Sequence, residues 1–345
     1  MESSNIEALL ITHPPNIYYL SGFSGTSGFL CLTLNAAYLY TDFRYLQQAS
    51  EEAPSFEIIK VGSSEDFSEI SSFLAKSKIK NLALEETQLT VRRYNRLQNA
   101  VSGIKLIPQF QFVEELRSIK EEAEVEKIKT AAKIADQAFQ HILPLIKPGI
   151  REEEVALELE YRLRKGGSQK NPFDIIVASG PRSALPHGLA SSRIIGEGEL
   201  ITIDFGAVFN GYSSDMTRTF VLGEPSQKQR DIYKMVFEAQ KLALADIRKG
   251  NHCAAIDGAV REYFQKKGCA SYFGHGLGHG VGLEVHELPI LSPKSNWSLE
   301  EGMVFTVEPG LYLEGWGGVR IEDMVVLRSD GPEVLTSSPK VLAIK

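Results

Sequence analysis

The sequence predicts an α/β domain at residues 1–112, followed at residues 113–345 by an α+β domain with an internal repeat. Three observations support this fold class. The 345 residues are enough for two domains of ~100 to 200 residues each. Short apolar runs alternate with helix-like stretches in the first third of the chain, and two similar segments follow one another in the remainder.

The amino-terminal domain is predicted from apolar runs of strand length that are separated by polar, helix-like stretches. The runs that we interpret as strands are 8–11, 28–34, 37–40, 56–61 and 81–84. Helices are predicted over 67–75 and 90–100. This alternation is typical of a compact α/β domain.

A charged segment at 113–141 opens the second domain. Its apolar residues, among them Leu116, Ile128 and Phe139, recur close to the helical period of 3.6. We therefore predict one long helix over this segment.

The second domain contains a weak internal repeat. Ile-Lys-Pro-Gly at 146–149 recurs as Ile-Arg-Lys-Gly at 247–250, and each precedes a helical stretch and then an apolar strand that ends in an acid. A second acid follows each strand. The four acids are Asp204 and Asp215 in the first copy and Glu308 and Glu322 in the second. Two similar halves that each contribute two acids imply a shared site.

Four carboxylates that share one pocket repel one another unless cations lie among them. Sites rich in carboxylates with one histidine suit manganese, cobalt or zinc, and bridging carboxylates hold two ions ~3.5–4 Å apart. Taken alone, Asp204 would equally suit the cap of the turn into Phe205-Gly206. The repeated pattern favours a metal site.

The stretch Phe-Gly-His-Gly-Leu-Gly-His-Gly at 273–280 places His275 and His279 in a glycine-rich run. Glycine disfavours a helix, so we predict an extended segment. Its histidines would then lie ~13 Å apart, too far to bind the same ion. The alternating glycines leave one face bare, where another backbone or a substrate can approach. His187 and His286 lie on the same repeated motifs.

The composition excludes several classes of partner. Lys+Arg 37 against Asp+Glu 44 gives a formal net charge of −7, which does not suggest a surface for nucleic acid or an anionic membrane. The arginines in 91–96 are interpreted as one solvated helix face. No apolar run approaches the ~20 residues that span a bilayer. Three widely spaced cysteines and no leader-like start indicate a cytoplasmic protein.

The order of these motifs resembles that of the proline-directed metallopeptidases with the pita-bread fold, the Xaa-Pro aminopeptidases and Xaa-Pro dipeptidases (prolidases). The resemblance rests on the acids and the histidine run, on Val-Glu-Pro-Gly at 307–310 and on Val-Arg-Ile-Glu-Asp at 319–323. It covers residues 113–345. A weaker resemblance to the family's amino-terminal domain lies at 16–23, and 178–188 is similar to the segment that carries the first active-site histidine.

The resemblance implies a role for each motif residue. The residues that it assigns to two divalent metal ions are Asp204, Asp215, His279, Glu308 and Glu322. The residues that it assigns to catalysis are His187, His275, His286, Glu308 and Arg320, and those assigned to substrate binding are His187, His286, Tyr312 and Arg320. Arg320 is equally suited to be a plain partner of a nearby carboxylate. Manganese is the expected metal, with cobalt, zinc and iron as alternatives.

The implied activity is hydrolysis of the Xaa-Pro bond in short peptides with proline at the second position. We expect an aminopeptidase, because 22–28 and 41–45 look more like bacterial members with that name. The alternative is a prolidase, which needs a cation for the substrate carboxylate; Arg44, Arg182 and Arg320 are its candidates. A more remote alternative is a non-catalytic binding module of the same fold. The family also implies a homodimer.

Overall fold

A computed structural model describes residues 6–344 of the chain. The chain divides into two compact units, with the division between Leu116 and Arg117. This division falls within the helix Phe112–Ser118. The domain boundary that we predicted, between residues 112 and 113, falls within the same helix and stays a prediction. None of the helices within residues 6–344 is both long enough and apolar enough to cross a lipid bilayer.

The described part of the first unit contains a mixed sheet with the strand order β4-β3-β2-β1-β5-β6. Its strands are β1 (Ala8–Ile11), β2 (Phe29–Thr33), β3 (Ala37–Thr41), β4 (Glu57–Lys60), β5 (Asn81–Glu85) and β6 (Lys105–Gln109). Its helices are α1 (Pro14–Ser21), α2 (Leu46–Glu52), α3 (Ser68–Lys76) and α4 (Val91–Ala100). The predicted strands and helices all have counterparts here. We did not predict β6, whose residues are only partly buried.

Both faces of this sheet are covered, which explains why β1 is a continuous apolar run rather than an alternating one. Ala8 and Leu10 pack in a core with residues of α3 and α4. Leu9 and Ile11 pack in a second core with residues of α1 and α2.

The prediction of one long helix over 113–141 is wrong. The structure has two helices, α5 (Phe112–Ser118) and α6 (Glu122–Ile142). Between them Ile119 forms a β-bridge with Met303, and the backbone N–H of Lys120 donates to the carbonyl of Gly302 at 2.9 Å. Glu121 then begins α6 with a capping box. Long-range pairing, which helical periodicity does not reveal, breaks the helix.

The second unit repeats one arrangement, a pair of helices packed on a sheet whose central strands are antiparallel. The remaining helices are α7 (Glu152–Lys165), α8 (Gln227–Asp246) and α9 (Cys253–Lys266). The strands are β7 (Ile176–Ser179), β8 (Leu200–Phe205), β9 (Val208–Phe209), β10 (Tyr212–Ser213), β11 (Met216–Leu222), β12 (Gly278–Gly280), β13 (Glu287–Leu291), β14 (Val304–Val307), β15 (Gly310–Leu313), β16 (Gly317–Arg320), β17 (Asp323–Arg328), β18 (Gly331–Val334) and β19 (Ala343–Ile344). Helices α6 and α7 share a core with β7, β8 and β11, whereas α8 and α9 share one with β14 and β17. This is the internal repeat that the sequence predicts.

The central strands of each half carry the acids at their ends. Strands β8 and β11 are antiparallel, and Asp204 near the end of β8 lies opposite Thr217. Strands β14 and β17 are antiparallel as well. Asp215 directly precedes β11, Glu308 directly follows β14, and Glu322 directly precedes β17. The pairing of these strands therefore places the acids of each half at neighbouring strand ends.

Candidate active site

A cavity of about 680 Å³ lies in the second unit, and it is lined by every residue that the family resemblance assigned to metal binding, catalysis or substrate binding. These residues are His187, Asp204, Asp215, His275, His279, His286, Glu308, Tyr312, Arg320 and Glu322. The volume falls within the range of ligand pockets. Residues that are far apart in the chain thus line one cavity.

Two of the four carboxylates in this cavity are buried, and the other two are only partly exposed. Asp215 and Glu322 are buried, and each offers an oxygen within 4.8 Å of a ring nitrogen of His279 and of the other. Burial, and then the charge of neighbouring carboxylates, raises the pKa of Asp215 and of Glu322 well above its usual range. Burial also raises the pKa of Glu308. Negative charge is therefore costly here without a compensating cation.

The orientation of the His279 ring indicates whether a cation is needed beside these carboxylates. Its Nδ1 lies 3.1 Å from the carbonyl oxygen of Gly280, and a carbonyl only accepts, so Nδ1 carries the hydrogen. Burial lowers the pKa of His279, which keeps the ring neutral. Its Nε2 lone pair then faces Glu308 Oε1 at 3.3 Å and Asp215 Oδ2 at 3.6 Å. Acceptors that face one another need a proton or a metal ion between them, and a neutral imidazole nitrogen beside carboxylates is a common metal-ligand set.

Two further oxygens indicate the same. Among residues 6–344, the buried Oδ1 atoms of Asp204 and Asp215 have no hydrogen-bond partner. A buried acceptor without a partner is costly, and a metal ligand is the ordinary exception. Carboxylate oxygens with one imidazole suit divalent ions of the manganese, cobalt, iron and zinc type. These residues fit a divalent metal site.

Threonine hydroxyls, which we did not predict, hold several of these side chains. Thr217 Oγ1 donates to Glu322 Oε2 at 2.6 Å. Thr306 Oγ1 donates to Glu308 Oε1 at 3.1 Å and accepts from the backbone N–H of His279 at 3.1 Å. A signal for Thr217 was present, because it follows Asp215 by the strand period of two and so shares its face.

A chain of hydrogen bonds runs along one wall of the cavity. Arg320 donates to Asp204 Oδ2 at 2.7 Å through Nη2 and to the Tyr312 hydroxyl at 2.9 Å through Nη1. That hydroxyl lies 2.9 Å from His275 Nε2, and His275 Nδ1 lies 2.7 Å from the Gly276 carbonyl. Burial lowers the pKa of His275 and raises that of Tyr312 to about 12, so both are neutral. Tyr312 therefore donates to His275, and both ring nitrogens of His275 are engaged.

Two other histidines face the same space. The ring of His286 packs on that of His279, with centroids 4.2 Å apart and an interplanar angle of 55°. Burial, and then the nearby His279, lowers the pKa of His286 to about 4, so the ring is neutral near pH 7. His187 is exposed on the cavity wall.

The three arginines considered for a substrate carboxylate lie in different places. Arg44 lies in the first unit and pairs with Asp42 at 2.8 Å. Arg182 pairs with Glu152 and lies outside the lining of the cavity. Arg320 lines the cavity, and Asp204 is its carboxylate partner, as the plainer interpretation required.

The glycine-rich run is not helical, and its last part, Gly278–Gly280, is the predicted extended strand, β12, which pairs with β13 and β14. A Cβ on Gly278 would clash with the carbonyl oxygen of Thr306, and one on Gly280 with the carbonyl oxygen of Leu288. At Gly274 a Cβ would meet nothing within 4 Å. At β12 the face without side chains therefore lets neighbouring backbone approach. This is one of the two possibilities that we predicted, the other being the approach of a substrate.

A partly buried ion pair on α9 holds the segment that leads into β12. Arg261 pairs with Asp257 at 2.6 Å and donates to the carbonyls of Phe273 and His275 at 3.2 and 2.5 Å. Asp257 in turn accepts from the backbone N–H of Leu277 at 3.0 Å. The spacing of these two charges by one helical turn was visible in the sequence, but their target was not.

Comparisons with known proteins agree with this geometry. Residues 126–329 match metallopeptidase family M24, and residues 1–119 match the creatinase/prolidase N-terminal domain. The chain is 39% identical to the Xaa-Pro dipeptidase of Pyrococcus furiosus, over 99% of this chain and 97% of that protein.

Two solved structures superpose closely on the whole chain. A Xaa-Pro dipeptidase from Bacillus anthracis has a TM-score of 0.96 at 44% identity, covering 99% of this chain and 96% of that one. An X-Pro aminopeptidase from Thermotoga maritima has a TM-score of 0.92 at 40% identity, covering 99% of each chain. The predicted pita-bread fold is confirmed, and the chain belongs to metallopeptidase family M24 as a metal-dependent peptidase.

Proposed function

We propose that this enzyme hydrolyses the peptide bond that precedes proline, with Xaa-Pro dipeptides as its principal substrates. Our sequence-based expectation ranked the aminopeptidase first. The relatives favour the alternative, because the proteins from Pyrococcus furiosus and Bacillus anthracis both carry the name Xaa-Pro dipeptidase. The observation that carries the proposal is the neutral His279 ring, whose Nε2 lone pair faces two carboxylates in a cavity of peptide size.

We assign the metal-binding role to five side chains. In this assignment Asp204 would hold one ion, His279 and Glu308 would hold the other, and Asp215 and Glu322 would be shared by both. We place manganese first, with cobalt, zinc and iron as alternatives. Divalent ions held by these groups would activate water and polarise the scissile carbonyl group.

Glu308 is the proposed proton shuttle. It takes a proton from the attacking water and delivers it to the leaving nitrogen, which in proline carries no hydrogen while the peptide bond is intact. Glu308→Gln keeps the shape but not the basicity, so turnover should fall while metal content is retained. Full turnover of this variant with its metal bound would refute the role.

His286 is the proposed donor to the oxyanion of the tetrahedral intermediate. His275, which the family resemblance also assigns to catalysis, is the other candidate for this role, but its two ring nitrogens are engaged with Gly276 and Tyr312. His187 and Arg320 with Tyr312 are assigned to the substrate. In this assignment the hydrogen bonds that the buried Arg320 makes to Asp204 and Tyr312 orient the cavity wall against which the peptide lies.

A second candidate, the Xaa-Pro aminopeptidase, is favoured by one observation. A dipeptidase needs a cation for the free carboxylate of its substrate. Among the described residues that line the cavity, Arg320 is the one lysine or arginine, and it already donates to Asp204, Tyr312 and the Pro186 carbonyl. A cavity of this kind accepts a peptide that continues beyond proline.

The two candidates are separated by a set of matched substrates. Manganese-loaded and chelator-stripped enzyme are assayed by mass spectrometry on Ala-Pro, Ala-Pro-amide, Ala-Pro-Ala and Ala-Ala-Ala. Metal-dependent cleavage of Ala-Pro alone supports the dipeptidase. Cleavage of Ala-Pro-Ala and the amide after residue one supports the aminopeptidase, and cleavage of none of the proline peptides refutes both.

The homodimer stays a proposal drawn from the family resemblance. Light scattering on the purified protein tests it directly. A mass near the 38.2 kDa of one chain would contradict it.

A further inference from the structure

We propose that Glu152 and Arg182 form a clamp that positions His187 on the cavity wall. The two residues act through the backbone of the segment 179–191 and are positioning residues rather than catalytic ones. The inference rests on the proposed function, because it assigns to the clamp the placement of a histidine that we expect to meet the substrate.

Glu152, the first residue of α7, is the fixed point of the clamp. It is 0% exposed, and such a buried carboxylate persists only when donors surround it. Its Oε1 accepts from the backbone N–H of Ser179 at 2.7 Å and from the hydroxyl at 2.8 Å. Its Oε2 accepts from the hydroxyl of Ser191 at 2.6 Å and from the N–H at 3.2 Å. One carboxylate thus ties both ends of the segment together.

Arg182 closes the segment around His187. One guanidinium nitrogen pairs with Glu152, and the other donates to the carbonyl of Leu189 at 2.7 Å. The backbone N–H of Leu189 donates to the carbonyl of His187 at 2.9 Å. Because the guanidinium fork is rigid and planar, its two bonds set the distance between Glu152 and the peptide of Leu189. A short path of hydrogen bonds therefore joins the buried carboxylate to His187.

The opposite side of the segment is held by the strand that carries Arg320. Arg320 Nη1 donates to the carbonyl of Pro186 at 3.2 Å, and the backbone N–H of Gly318 donates to Ser183 Oγ at 2.9 Å. The His187 side chain itself is exposed, so the backbone that carries it determines where the ring lies. The clamp and Arg320 together constrain that backbone from two sides.

The expected effect follows from the sensitivity of catalysis to position. A displacement of about 1 Å at a catalytic group can cost roughly 100-fold in rate. We expect Arg182→Ala to lower kcat/KM on the best Xaa-Pro peptide by about 10- to 100-fold, mainly through kcat. The metal content should not change, because the clamp touches none of the proposed metal ligands.

A double-mutant cycle with His187→Ala separates positioning from a general structural effect. If the clamp acts through His187, Arg182→Ala adds nothing once the histidine is absent, and the double variant equals His187→Ala. Arg328→Ala is the matched control, because Arg328 is 26% exposed and pairs with Glu122, whereas Arg182 is 29% exposed. The control should retain wild-type kcat/KM.

Three outcomes would overturn the proposal: multiplicative losses in the double variant, wild-type kcat/KM in Arg182→Ala, or full activity in His187→Ala. If Arg182→Ala does not fold, Arg182→Lys takes its place, since lysine retains the charge next to Glu152 but loses the fork to Leu189. The same comparisons then apply. Failure of the proposed function is recognised separately, because the wild-type enzyme would then cleave no Xaa-Pro peptide.

Discussion

Replacing Gly278 by alanine tests why the histidine run is built from glycine. The structure places the carbonyl oxygen of Thr306 where the new Cβ would lie, so β12 must move away from β14. Because His279 is the next residue, the proposed metal ligand moves with it. Gly274→Ala is the matched control, since its Cβ would meet nothing within 4 Å.

The size of the effect follows from the clash. Inserting a methyl group into a packed site costs ~1–3 kcal/mol. In a unit of this size each kcal/mol lowers Tm by roughly 2–4 °C, so we expect a decrease of about 2–12 °C for Gly278→Ala. Gly274→Ala should leave Tm unchanged or raise it slightly, because alanine restricts the unfolded chain by about 0.4–1 kcal/mol.

The assay combines calorimetry of the chelator-stripped proteins with metal titration. Moving a ligand or its support typically weakens metal binding by 10- to 100-fold, and we expect that loss for Gly278→Ala alone. Equal Tm values and equal metal affinities for the two alanine variants would refute the reasoning.

Three further predictions follow from the same cavity. Thr217→Val removes the hydroxyl that donates to Glu322, so metal affinity should fall about 10- to 100-fold in a chelator competition; unchanged affinity would contradict the orienting role. Tyr312→Phe breaks the hydrogen-bond chain, so kcat/KM should fall roughly 5- to 10-fold, the worth of one hydrogen bond, with metal content unchanged; a wild-type value would count against that wall. In metal-free protein the folded state raises the pKa of Asp215, Glu308 and Glu322, so it binds more protons than the unfolded state and stability falls as pH rises through those values. Above about pH 7 the buried histidines with lowered pKa are neutral in both the folded and the unfolded state, so they do not mask this slope. The Tm of the metal-free protein should therefore decrease as pH rises above about 7 and manganese should remove the slope, whereas a flat Tm without metal would show that the carboxylates do not repel.

The sequence was informative where chemistry depends on residue type and local order. Asp204, Asp215, Glu308 and Glu322 were recognisable as one set because they occupy matching places in two repeated segments. The extended conformation around His279 was predictable as well, because glycine disfavours a helix whatever surrounds it.

The features that we did not predict from the sequence depend mainly on contacts that local residue order does not reveal. The helix break at Ile119–Glu121 depends on pairing with a strand far along the chain, and apolar periodicity cannot register such a partner. The contact of the Thr217 hydroxyl with Glu322 was overlooked for the same reason, since Glu322 lies 105 residues further along the chain. The Thr306 hydroxyl differs, because its acceptor Glu308 is only two residues away and was within reach of the sequence.

By itself, therefore, the sequence determined the donor types, the repeat and the family resemblance, all of which are written in residue identity and order. Only the tertiary structure decided which nitrogen of His279 faces the carboxylates, that Arg320 pairs with Asp204, and that Arg182 holds a loop instead of lining the cavity. These outcomes depend on distances of a few ångströms between residues remote in the chain. Hydrogen bonds and ion pairs have that short range, so folding must bring their partners together before the chemistry of the site is defined.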